Sequence, residues 1–116
     1  MEPDNQFALM GRALQEHLSG RTDEGLQVMA EIVERRRRNK LWDGEVTYKL
    51  AQIVTVLGDL ELAESLFSEA VTQGFFCYPY FCRDPLLEPL RSSGRAVATL
   101  AAAEVRHREY GERFFS

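Results

Sequence analysis

Three positions repeat their character at one fixed offset: Gly20, Gly25 and Met29 are answered in the same order and spacing by Gly58, Ala63 and Phe67. Each set is a glycine, a small residue five positions on, and a large apolar residue four beyond that. A small residue lets two helices approach closely, and the large one beside it fills the gap. A period of this size marks stacked supersecondary units, each too small to bury its apolar face alone. The spacing therefore predicts two related helix pairs with a glycine at each helix–helix turn.

The rest of the chain reads as helix and turn. Asp4 or Asn5 is expected to cap a first helix carrying Phe7, Leu9, Met10, Ala13, Leu14 and Leu18, closed at Ser19-Gly20. Thr22 is expected to cap the second, with Asp23 and Glu24 at its positive end and Leu26, Met29, Ile32 and Val33 on one face. Asp43 opens a third helix through Val46, Leu50, Ala51, Ile53, Val54 and Leu57, and Gly58 ends it. Asp59 caps a fourth, which buries Leu62, Ala63, Leu66, Phe67, Ala70 and Val71 and closes at Gly74. The segment GFFCYPYFCRDP is too aromatic for a flexible linker and is expected to be a packed loop plugging the array. Asp84-Pro85 starts a short helix to about Leu90. Ser92 or Ser93 caps a last one, whose seam is Ala96, Leu100, Ala103, His107, Tyr110 and Phe114. The single domain 1–116 thus divides into a first pair (4–40), a second pair (43–74) and an aromatic loop with capping helices (75–115).

Composition narrows the function. One hundred and sixteen residues make about one domain, and a charge of −4 argues against a general polyanion binder. The run Arg35–Arg38 resembles a nucleic-acid patch, but consecutive helical residues point in four directions. Arginines at a helix C-terminus also favour the macrodipole, so nucleic acid is not the expected partner. No apolar run reaches the 18 or so residues of a membrane span. The start MEPDNQF lacks the basic and apolar regions of a secretory signal, which makes a cytoplasmic location the expectation.

The chemistry of catalysis is not legible. Cys77 and Cys82 have neither redox nor zinc spacing, and His17 and His107 do not pair with them, so both thiols are expected reduced, metal-free and packed like small hydrophobes. No phosphate-cradling glycine run, nucleophile elbow or zinc-protease string occurs. Glu61, Glu64 and Glu69 fall on the polar face of an amphipathic helix, and His107 is expected to be packed and hydrogen-bonded. The expectation is a protein without catalytic residues, cofactor or metal.

The second unit resembles a tetratricopeptide repeat in Thr47-x2-Leu50-Ala51-x2-Val54, Gly58, and Ala63-x3-Phe67-x2-Ala70. The first unit matches through Ala13, Gly20, Gly25, Met29 and Ile32, with Arg12 and Glu16 where apolar residues are usual. A period of 38 rather than 34 implies four extra residues around Arg38–Asp43, where Trp42 is expected to pack. Asp84-Pro85-Leu86-Leu87-Glu88-Pro89-Leu90-Arg91 is similar to the tail closing many bacterial arrays, although Ser93-Gly94-Arg95-Ala96 replaces the usual start of the final helix.

The resemblance implies an all-α array of about two antiparallel helix pairs with a C-terminal capping helix. It also implies a scaffold binding a protein or peptide, of the kind found as the C-terminal module of a bacterial signalling or regulatory protein; the alternative is self-association as a homodimer. Such arrays line their concave side with the first helix of each pair. The candidate partner-binding residues are therefore Glu45, Tyr48, Gln52 and Thr55 in the second unit and, one period earlier, Phe7, Met10, Leu14 and His17. Tyr48 and Gln52 are the expected anchors. The positions that clamp a peptide carboxylate in some repeats are not lysine and asparagine here, so a peptide with mixed apolar and hydrogen-bonding character is expected.

Overall fold

The computed structural model describes residues 6–41 and 43–115, with the side chains of 7–41 and 43–112. The described residues form helices without a strand: α1 (Gln6–Leu18), α2 (Thr22–Arg38), α3 (Gly44–Leu57), α4 (Leu60–Thr72), α5 (Tyr78–Arg83), a 3-10 turn (Pro85–Leu87), α6 (Glu88–Ser92) and α7 (Val97–Phe115). None of the described helices is long and apolar enough to cross a membrane. The expected caps Asp4 and Asn5, the packing of Trp42 and the end of the last seam at Phe114 lie outside the described residues or side chains.

The period is carried by the helices themselves, since α2 and α4 begin at Thr22 and Leu60. α1 packs on α2 and α3 on α4, and α2 and α1 in turn meet α3. Gly20 and Gly58 both adopt left-handed backbone, φ 84° and 95°, at equivalent turns. Met29 and Phe67 are fully buried, as are Ala13 and Ala51. Gly25 has a steric reason to lack a side chain, because a Cβ there would lie 2.7 Å from the Ala13 carbonyl oxygen. α2 has 17 residues against 13 in α4, so the four extra residues are an added turn of helix containing the arginine run.

Local signals explain most boundaries. The Asp43 carboxylate accepts from the amides of Glu45 and Val46, and Asp59 from that of Leu62, which satisfies first-turn donors. Asp84 likewise accepts from the Leu86 amide. Thr22 does not cap. It lies inside the first turn of α2, and its hydroxyl meets His17 Nδ1 at 2.8 Å across the turn. The turn is closed instead by backbone, with the Arg21 amide bonded to Glu16 O at 2.7 Å.

The aromatic segment differs from the expected loop. Tyr78–Arg83 is a helical turn with Pro79 near its start, where a missing amide costs nothing. It is packed, as its composition requires: Phe81 is fully buried, stacks on Tyr48 at 5.0 Å and meets Phe67 edge-on at 4.9 Å. Because these rings fill the space, Cys77 and Cys82 are exposed free thiols rather than core residues. The Tyr78 phenol is raised above its ordinary pKa chiefly by its hydrogen bond to Cys82.

The expected seam of α7 holds for one half only. Ala96, Thr99 and Ala103 are buried, whereas His107 and Tyr110 are exposed. α7 rests on α4 and on the six-residue α5, a support too short for its whole length. Its second half is tethered by Arg106, which donates to the Val71 carbonyl and lies 4.6 Å over the Phe76 ring. Phe76 in turn meets Tyr110 at 6.0 Å.

Candidate functional site

Two faces carry the candidate partner-binding residues, and the fold treats them differently. On α3 the face is already occupied by the chain's own tail. Tyr48 is only 2% exposed and donates to Asp84 Oδ2 at 2.5 Å; Gln52 Nε2 donates to the same oxygen at 2.6 Å. Asp84 is itself buried, and its Oδ1 takes the Leu86 amide at 3.0 Å, so each carboxylate oxygen is satisfied. Arg91 Nη1 binds the carbonyls of Phe81 and Asp84 at 2.7 and 2.8 Å, which fixes the Asp-Pro turn from its other side. Burial, followed by the hydrogen bond to Asp84 and the carboxylate's charge, pushes the Tyr48 phenol well above its ordinary pKa.

This geometry corrects the expected anchors. Tyr48 and Gln52 hold the C-terminal tail, and Tyr48 also packs against Phe67, Phe75 and Phe81. Thr55 is buried with its hydroxyl on the Ala51 carbonyl at 2.7 Å, a bond within its own helix. Glu45 alone of that set is exposed, facing Lys49 at 3.9 Å. The physical reason is the tail itself: the 3-10 turn and α6 pack on α3, so the surface expected to face a partner is interior.

On α1 the equivalent positions remain partly open. Met10 is buried, which corrects its place among the accessible candidates; it joins the core with Ala13. His17 is half-buried and engaged with Thr22. Phe7 is 50% exposed and Leu14 half-buried. Leu18, one of the apolar residues this helix carries, is 84% exposed. Phe7, Leu14 and Leu18 recur at intervals of seven and four, so they share one side of α1. Their counterparts one period later are Glu45, Gln52 and Val56. Where α3 has a charged residue and an amide, α1 has phenylalanine and leucine.

The arginine run does not make one surface. Arg36 is buried and donates to the Leu41 carbonyl at 2.9 Å, with burial lowering its pKa. Arg37 binds Glu69 and Ser65 of α4, and Arg38 meets Glu34 at 3.5 Å. Among the described residues no group of three or more His, Cys, Asp or Glu side chains is placed to hold a metal ion. A groove of about 430 Å³ between α7 and the aromatic segment is lined by Phe76, Cys77, His107, Tyr110 and Gly111. Another, of about 540 Å³, runs along α4 beside Ser68, Glu69, Thr72 and Gln73.

Asp84 and Arg91 are visible in the sequence only as a helix cap and part of a tail motif. The link from Asp84 to Tyr48 spans a long stretch of chain and needs the tertiary fold. Leu18 has a signal, its register with Phe7 and Leu14. Comparison of the chain with protein-family models, with curated proteins and with solved structures returns no match.

Proposed function

We propose that the chain is a non-catalytic scaffold of the tetratricopeptide kind that binds a protein or peptide through α1. The observation that carries this reading is the exposed apolar side of α1, with Phe7 50% and Leu18 84% accessible, where two of the three counterparts on α3, Glu45 and Gln52, are polar and the third, Val56, is apolar and exposed. Desolvated aromatic and aliphatic anchors are what hold a partner in an interface. Further support comes from the constant offset between the two helix pairs and from Gly25 and Ala63 as equivalent small, buried positions. The tail acts as a cap in this reading, covering the apolar side of the second pair as an array's terminal element must. Most of the arginine run is engaged within the chain, which favours a protein over a nucleic-acid partner.

Leu18→Glu tests the site. It changes an exposed side chain, so the far-UV circular dichroism and melting temperature are expected to stay close to wild type. Capture of a partner from an extract by the immobilised chain is expected to fall at least about tenfold, equivalent to losing an anchor of about 1.4 kcal/mol. A partner retained equally by both chains would move the site away from α1.

A further inference from the structure

Gly11 sits in the middle of α1, where glycine costs roughly 0.5–1 kcal/mol relative to alanine. Of the chain's eight glycines, six have an intramolecular reason: four take left-handed backbone at turns, and Gly25 and Gly44 are pressed against neighbouring backbone. Gly11 and, in α7, Gly111 have neither. The position of Gly11 is exposed, and a Cβ built there would meet nothing within 4 Å. At about 100° per residue, Phe7, Gly11, Leu14 and Leu18 fall within a sector of about 60°. The apolar stripe therefore has a notch between its large residues. Among the described residues nothing lies within 4 Å of a Cβ built at Gly11.

The geometry points to a second copy of this chain as the occupant, its α1 lying antiparallel across the stripe about a twofold axis. This rests on the reading of α1 as the binding face and names what binds there. The register is self-complementary: Phe7 lies opposite Leu18 of the second copy, and Gly11 opposite its Leu14. Each leucine enters the notch that the other copy's glycine leaves, as small residues admit large ones at close helix crossings. A twofold contact requires such reciprocity, each residue meeting its counterpart's partner. The exposed residues flanking the stripe on one side, Ala8 and Gln15, carry no charge, and on the other side His17 is engaged with Thr22 beside the buried Met10. A 13-residue helix is about 20 Å long and buries less than the roughly 800 Å² per partner of a standard stable interface. The pair is accordingly weak and concentration-dependent.

Sedimentation equilibrium of the full chain from about 1 μM to 1 mM tests this, with Gly11→Gln as the variant. Wild type is expected to rise from 13.3 kDa toward twice that mass across the range. Gly11→Gln adds an uncharged side chain in open space and removes a helix-weakening glycine. Its melting temperature at low concentration is expected to rise, while its dissociation constant increases at least about tenfold. Stabilisation with loss of association is the pair of results that a merely structural glycine would not give. Wild type remaining at monomer mass throughout would overturn the proposal, as would a Gly11→Gln chain that associates as tightly as wild type. If the chain stays monomeric yet captures a different protein in a Leu18-dependent way, the α1 site stands and the second copy is overturned. If wild type associates and Leu18→Glu associates equally well, the α1 site itself fails.

Discussion

Tyr48 shows how a single side chain changes meaning with its surroundings. On an amphipathic helix a tyrosine has the chemistry of a partner anchor; in the fold its hydroxyl is buried against the Asp84 carboxylate. Its pKa is raised above the value near 10 that an unfolded chain gives it, so the folded state resists its ionisation. A raised acid pKa means that the stabilisation is complete below about pH 10 and is lost as pH climbs above it, when the unfolded chain releases the proton first. Urea unfolding of wild type between pH 8 and 11 should therefore show a loss of stability that is smaller in Tyr48→Phe. At pH 8 the same variant should be about 1–3 kcal/mol less stable, because Asp84 keeps its burial and loses a donor. Equal stability of the two chains at pH 8 would mean that the carboxylate is satisfied without Tyr48.

At the scale of helices, the ends of the first four repeat a device with one exception. α1, α3 and α4 are followed by Gly20, Gly58 and Gly74 in left-handed backbone, whereas the corresponding residue after α2 is Lys40 at φ 54°. The hydrogen bonds there, Leu41 N to Arg36 O and Lys40 N to Arg37 O, are those of the usual glycine-closed helix end. A side chain in this conformation costs roughly 1–2 kcal/mol. Lys40→Gly is expected to recover about 1 kcal/mol of this, raising the melting temperature by about 4 °C in a thermal denaturation scan. No change or a fall would show that the lysine side chain makes compensating contacts.

Taken whole, the molecule has a radius of gyration of 14.7 Å against about 13 Å for a compact domain of this length. It extends 48 × 32 × 18 Å, a slab rather than a sphere. Each helix pair packs against its neighbours, so stability is uneven along the chain. α3 is flanked by α4, by the first pair and by the tail, while α1 meets α2 and α3. Native-state hydrogen exchange should accordingly find the slowest amides in α3 and α4, with α1 and the exposed second half of α7 opening at lower free energy. Uniform protection across α1 and α3 would indicate one cooperative unit instead.

Helix class, the period and the caps at Asp43, Asp59 and Asp84 were legible in the sequence because they are local: a cap satisfies amides two or three positions away, and periodicity needs no more than one helix. The small residues at positions 25 and 63 were legible for a related reason, since a close crossing leaves its mark on the helix that makes it. The exposure of the candidate residues was legible only in part. Phe7 and Leu14 lie on the open side of α1, but Tyr48, Gln52 and Thr55 on the equivalent side of α3 do not. Local pattern cannot distinguish these two faces, because both have first-helix positions at the same spacing. What separates them is the return of the tail, which brings Asp84 and Phe81 onto α3 from far along the chain, while Phe7 and Leu18 of α1 stay exposed. The sequence by itself determined which residues line the first helices; only tertiary packing decided which of those faces met the rest of the chain and which met water.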